Sequence, residues 1–286
     1  MLKRLVTILL MTGIICLFVD KTQAIANVVI YNIPDVASFC GERVPIENKR
    51  VAELFEEAFL GSVYFQSRTI LWIKKSNRYF PYVEQKLRER NLPDDLKYVL
   101  VAESSFRHDA VSTSKAIGPW QFMEATAKQM GLRVDKSIDE RRNFERSTDA
   151  ALDYLTKLYS LFNNWTLAVA SYNCGENRMM TNMKEQGVND YYNLDLPVET
   201  ESYIFRILTA KTILSHPEQY GYYIATHDRY QAEGFDSVEI RSNNEISIKK
   251  IATLCETTLK EIMEMNPELK TSILPAGEYR IKAPKG

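Results

Sequence analysis

The chain reads as a mainly α protein with a small α+β module of strand, helix, helix, strand at its C-terminal end. Three observations predict this. Apolar residues recur at helical spacing through most of residues 47–220. Pro and small polar residues stand where helices would start, and Gly or Pro where they would stop. After about residue 234 the pattern turns to alternation, first in Val238-Glu239-Ile240-Arg241 and last in Tyr279-Arg280-Ile281-Lys282. The length of 286 residues suits one large domain plus a small one, and 45% hydrophobic with 26% charged residues is ordinary globular composition. A formal net charge of -1 gives no basic field for nucleic acid or an anionic membrane.

Residues 1–26 read as a signal peptide. Lys3-Arg4 is a basic start, Leu5 to Val19 is almost wholly apolar, and Ala24-Ile25-Ala26 or Thr22-Gln23-Ala24 supplies small cleavage-site residues. The stretch is short for a spanning helix, so the expectation is export to the periplasm or cell envelope. Cys16 follows Ile15 where lipidation needs a small residue, so lipidation is not expected. Residues 27–46, with Pro34, Gly41 and Pro45, form an N-terminal arm.

Residues 47–90 read as helices, with a break at Tyr79-Phe80-Pro81-Tyr82. A helix follows over Asp94 to Glu103, started by Pro93 and two early acids. Phe106 to Pro119 is a loop rich in Ser, Thr and Gly. Gln121 to Met130 is the next helix, closed by Gly131. Ser147-Thr148-Asp149 reads as the N-cap of a helix that runs to Phe162 and ends at Asn163-Asn164. Trp165 to Ser171 is a short buried helix. Thr200 caps a last helix with Ile204, Ile207, Leu208 and Leu214, stopped by Pro217. Residues 47–220 thus form the main helical domain, 221–236 a linker, and 237–286 the small module, with helices around Ile251 and Ile262.

Glu103 is the most informative residue. Leu96, Val99 and Leu100 make an i, i+3, i+4 stripe that Glu103 continues at i+7. An acid on that face is desolvated, and its pKa rises until it can hold a proton near neutrality, as a general acid in glycoside cleavage requires. The plainer alternative is a helix-end Glu paired with Arg107. After residue 26 the cysteines are Cys40, Cys174 and Cys255, an odd count without metal-ligand spacing, and His108, His216 and His227 are scattered. No metal site is expected, and a single disulfide stays open.

Around Glu103-Ser104-Ser105-Phe106 a family resemblance emerges. With Gly118-Pro119-Trp120-Gln121-Phe122-Met123, Asp139-Glu140-Arg141-Arg142, Asn164-Trp165-Thr166-Leu167-Ala168, Ala170-Ser171-Tyr172-Asn173-Cys174-Gly175 and Leu196 to Tyr203, it resembles the soluble lytic murein transglycosylase domain over about residues 85 to 215. Within that family it is most similar to the membrane-bound lytic transglycosylase D type. The resemblance implies a lysozyme-like helical fold. It implies Glu103 as the single catalytic acid and Ser112 as its support, with Gln121 and Met123 lining sugar subsites. Tyr172 and Asn173 would face the acid and the substrate's N-acetyl group, and Glu199 would be a cleft acid with Tyr203 beside it. Lys115 stands where glycine is usual and Cys174 where alanine is common. The implied partner is the glycan strand of peptidoglycan, cleaved between MurNAc and GlcNAc with a 1,6-anhydroMurNAc end and no cofactor. Residues 237–284 resemble a LysM domain that lacks its usual Gly-Asp-Thr turn, with Ser242-Asn243-Asn244-Glu245 there instead. Two alternatives stay open: a hydrolase like goose-type lysozyme, helped by Glu199 or Asp109, and an inactive wall-binding protein.

Overall fold

A β-hairpin leads into the helical domain. The computed structural model describes residues 29–35 and 37–285, and the signal-peptide reading of residues 1–26 lies outside them. Every element below belongs to the unit Asn32–Gly286. Strands β1 (Ala37–Phe39) and β2 (Glu42–Val44) pair antiparallel, joined by Cys40 and Gly41 at φ 52° and 82°. Positive φ at both turn residues matches the right-handed twist of the ribbon. The stretch read only as an arm therefore has structure of its own. Its Phe39 and Val44 are buried, and Asp95 accepts from Cys40 N at 2.7 Å and from Lys211 Nζ at 2.8 Å.

Helix α1 (Lys49–Val63) starts at Asn48, whose side chain accepts from Arg50 N, and buries Val51, Phe55, Phe59 and Val63. Helix α2 (Gln66–Glu89) runs through Pro81 without a break. The expected interruption at Tyr79–Tyr82 lies instead at Tyr64-Phe65. An interior proline costs about 3 kcal/mol, and burial of Trp72, Ile73, Phe80, Val83 and Leu87 on one helix offsets it. A 3-10 turn, Asp94–Leu96, feeds helix α3 (Lys97–Ser104), as Pro93 and the two acids led one to expect.

Three boundaries differ from the sequence reading. Helix α4 spans only Glu124–Gln129, because Gln121 has φ 50° and Met123 is extended. Helix α5 (Phe144–Phe162) starts at Asn143, whose side chain accepts from Arg146 N, so Ser147 and Thr148 lie inside it. Thr200 is not a cap. It sits within α8 (Val198–Glu201), which precedes α9 (Tyr203–Ser215). Between α5 and α8 in sequence, α6 (Trp165–Cys174) is buried at every position from Trp165 to Ser171. It starts at Asn164, whose side chain accepts from Leu167 N at 2.8 Å, and it gains a second cap from the hairpin. Glu42 accepts from Trp165 N, from Thr166 N at 2.9 Å and from Thr166 Oγ1 at 2.7 Å. Helix α7 (Glu176–Gln186) follows after Gly175.

In the C-terminal module, β3 (Phe235–Ser242) pairs antiparallel with β6 (Gly277–Pro284), and β4 (Ile246–Ser247) with β5 (Ile273–Leu274). Helices α10 (Ile248–Leu254) and α11 (Leu259–Met265) lie between them, α11 opened by a capping box of Thr258 and Glu261. The strand, helix, helix, strand order is as expected. The module's core of Ile251, Ile262, Leu274 and Ile281 is completed by Ile138 from the loop before α5. Around that plug Asp139 N donates to Glu268 O at 2.8 Å, Lys270 N to Ser137 O at 2.9 Å, and Asn143 Nδ2 to Glu268 Oε1 at 2.8 Å. Among the described residues the three cysteines are free thiols, and no helix is long and apolar enough to cross a membrane.

Candidate functional site

Glu103 sits in the last turn of α3, where the stripe Leu96, Val99, Leu100 has carried it inward. The residue is half-buried, open on one side, but protein walls in its carboxyl. That burial pushes the carboxyl up to about 7. The Tyr203 hydroxyl and the positive charge of Arg206 hold it back, and the charge of Glu199 adds to the rise. Tyr203, at the start of α9, is fully buried, and its hydroxyl donates to Glu103 Oε1. Among the described residues Oε2 has no protein hydrogen bond. Arg107, the plainer partner, instead pairs with Asp109 at 3.1 Å.

The two serines after Glu103 fix the end of its helix. Ser105 ends α3 in the left-handed conformation at φ 53°, and its hydroxyl accepts from Trp72 Nε1 at 2.7 Å. Ser104 Oγ donates to Pro119 O at 2.7 Å, which ties the acid's helix to the loop carrying Trp120 and Gln121. That loop needs Gly118. A Cβ there would lie 1.8 Å from the Arg141 carbonyl oxygen, and φ is +87°. Trp120 is 0% exposed and donates Nε1 to Thr148 Oγ1 at 2.9 Å, so it is core rather than a sugar platform. Arg141 is itself buried and holds Asp139 through two bonds of 2.8 Å.

On the facing side, the end of α6 presents Tyr172 and Asn173. Tyr172 donates to Trp120 O at 2.8 Å, and burial first, then the nearby Glu103 charge, raises its phenol well above the usual range. Asn173 Oδ1 accepts from Thr200 Oγ1 at 3.0 Å, and among the described residues its amide NH2 has no protein partner. Glu199 is exposed in the first turn of α8, near enough for its charge to act on Glu103. Glu103, Tyr172 and Tyr203 therefore come together, with Glu199 flanking them and Asn173 beside Tyr172 in sequence.

The remaining expected residues have other surroundings. Gln121 donates its amide to Gly118 O at 2.8 Å and to Ala110 O at 3.3 Å, which leaves no free amide hydrogen for a sugar. Met123, 45% exposed, is open to a ligand. Ser112 Oγ accepts from Ala116 N at 2.9 Å and closes its own turn, and among the described residues it makes no hydrogen bond to Glu103. Arg206 was not read from the sequence. Its guanidinium lies 5.4 Å from the Tyr203 ring centroid and acts on the Glu103 charge. The i, i+4, i+7 spacing of Glu199, Tyr203 and Arg206 was the available signal, since it sets all three along one side of the α8–α9 segment.

Known proteins resemble this chain over the segment that carries Glu103, Tyr172 and Asn173. Residues 81–194 match the model of the transglycosylase SLT domain family. Over 260 residues the chain is 28% identical to membrane-bound lytic murein transglycosylase D of Escherichia coli (strain K12), covering 88% of this chain and 56% of that protein. Over 88 residues it is 41% identical to peptidoglycan transglycosylase gp16 of Escherichia phage T7, covering 30% of this chain and 7% of that protein. An X-ray structure of an inactive mutant of lytic transglycosylase Slt from Pseudomonas aeruginosa aligns with a TM-score of 0.38 at 20% identity, over 54% of this chain and 26% of that one. The chain spans about half the length of the curated Escherichia coli relative.

Proposed function

From the transglycosylase SLT domain that residues 81–194 carry, we propose that this protein is an exported peptidoglycan lytic transglycosylase that cleaves the bond between MurNAc and GlcNAc. The observation that carries the reading is Glu103, whose burial holds its carboxyl near half-protonation at neutral pH. In the protonated form it donates to the glycosidic oxygen as the bond to the MurNAc C1 breaks. The C6 hydroxyl of the same sugar then bonds to C1, and its proton passes to the Glu103 carboxylate. The product is a 1,6-anhydroMurNAc end, formed without net addition of water. One carboxyl serves both halves because the attack is intramolecular. Tyr203, which favours the charged form, stabilises the carboxylate left by that first proton transfer. The free amide NH2 of Asn173 is suited to donate to the N-acetyl carbonyl oxygen.

A hydrolase of similar fold needs a second group to activate water. Asp109 is paired to Arg107 and exposed, which leaves it poorly placed for that task. The module at residues 237–286 is proposed as a second, LysM-like contact with the wall. The test is digestion of intact peptidoglycan by the purified protein, with products read by mass spectrometry. Wild type should yield ends lighter by one water than reducing ends, and Glu103→Gln should lower the rate at least about 10³-fold, the range of general acid–base catalysis. Reducing-end products from wild type would reject the transglycosylase mechanism.

A further inference from the structure

A groove of about 570 Å³ runs beside the acid, between α1–α2 on one side and α3 with α8–α9 on the other. Ala102, next to Glu103 in sequence, lines it, and so does Arg206, which stacks on the tyrosine that binds Glu103. The groove therefore abuts the reaction centre. Three guanidinium groups reach it: Arg50, Arg68 and Arg206. Arg50 is neutralised by Glu201 at 3.1 Å. Among the described residues neither Arg68 nor Arg206 forms an ion pair, and the Nε of each is buried without an acceptor. The other acid on the groove, Glu57, is exposed and pairs with neither.

Arg68 is held in a fixed orientation. Its guanidinium lies 4.9 Å from the Phe65 ring centroid and 5.2 Å from that of Trp72. One terminal nitrogen is tied to Gly61 O at 2.9 Å and Ser62 Oγ at 3.0 Å. Trp72 in turn donates to Ser105, which ends the acid's helix. A guanidinium whose plane is fixed by aromatic rings loses little entropy on binding, and its other terminal nitrogen is left to donate to a carboxylate.

Resting on the function given above, we propose that this groove binds a carboxylate of the peptide stem carried by the MurNAc that is being cleaved, with Arg68 and Arg206 as its recognition groups. The enzyme then selects strands that still carry stems over bare glycan. The substrate's own chemistry fits: the stem leaves the sugar through the lactyl ether, beside the reacting ring, and carries free carboxylates along its length.

The experiment compares, for each enzyme, the kcat/KM on soluble stem-bearing strands with that on the same strands after their stem carboxylates are converted to amides. The ratio is internal to each enzyme, so a fold-weakened variant still gives a reading. Wild type should show a ratio of about ten, the effect of one charge-assisted pair, carried mainly by KM. Arg68→Gln should bring the ratio near one, and Arg68→Lys, which keeps the charge but not the planar group stacked on Phe65 and Trp72, should fall between. A wild-type ratio near one, or an unchanged ratio in Arg68→Gln, overturns the proposal. A third arm uses strands stripped of stems by an amidase, which frees the lactyl carboxylate. Arg68-dependent cleavage of those strands at the stem-bearing rate would assign the groove to the lactyl group and reject the stem. Absence of anhydro ends from every substrate would reject the function itself, an outcome separable from either of these.

Discussion

Glu103 and Tyr203 form the pair on which the acid's pH behaviour turns. The Tyr203 hydrogen bond stabilises the charged carboxylate, so it lowers a pKa that burial raises. Tyr203→Phe therefore lifts the Glu103 pKa above about 7. Activity that needs the protonated acid falls as pH rises through that value, so the alkaline limb of the kcat/KM profile in Tyr203→Phe should lie at higher pH than in wild type. The peak rate should drop roughly 10-fold, as expected when one positioning hydrogen bond is lost. An unchanged alkaline limb, measured by product release against pH, would mean that Tyr203 does not face the titrating form. Arg206 escaped the sequence because only its helical spacing from Glu199 and Tyr203 marked it, and such spacing is common to any helix. Glu103 was legible because burial of an acid on an apolar stripe is a one-dimensional signal. Ser112 marks the opposite limit: its hydroxyl serves its own turn, a detail of loop geometry that residue type does not carry.

Elements show why boundaries were harder to read than the elements themselves. Ser147, Thr148 and Asp149 are all good cap residues, yet the helix they seemed to begin starts at Asn143. Inside α5 the Ser147 hydroxyl donates to Asn143 O, and Thr148 accepts from the indole of Trp120, 28 residues earlier in sequence. A carbonyl one turn back and a tertiary partner thus satisfy hydroxyls that local sequence would assign to a cap. Pro81 misleads in the same way, since the apolar face of α2 outweighs a local break. Helix α6 illustrates cooperation between distant elements. Its N-terminus is capped by its own Asn164 and by Glu42 of the hairpin, and its other end carries Tyr172 and Asn173. Glu42→Ala should cost about 1–2 kcal/mol, the scale of a lost N-cap with its charge, read as a lower midpoint in denaturant with an unchanged slope. A loss below about 0.3 kcal/mol would mean that Asn164 alone suffices.

At the scale of the whole molecule, the C-terminal module and the helical domain share a core through Ile138. The sequence separates them by pattern, because alternation replaces helical spacing near residue 234. It did not disclose the seam, since one isoleucine in a loop has no periodicity. Ile138→Ala should weaken the seam by about 2 kcal/mol or more, as for a buried large-to-small change. Hydrogen exchange should then quicken in β6, at Ile281 and Ala283, while α6 keeps its protection. Equal quickening in both would show that the two parts unfold as one. The ribbon of this module has a further property. Phe235 lies opposite Pro284 and Ser242 opposite Gly277, so the chain enters and leaves at the same end. Tension between linker and tail therefore acts on one rung of the ladder at a time and peels the strands apart, where a pull along the strands would have to shear all the rungs together. Such a ribbon yields at low force, so a tug on the tail is spent in opening the small module and leaves the helices around Glu103 unstretched.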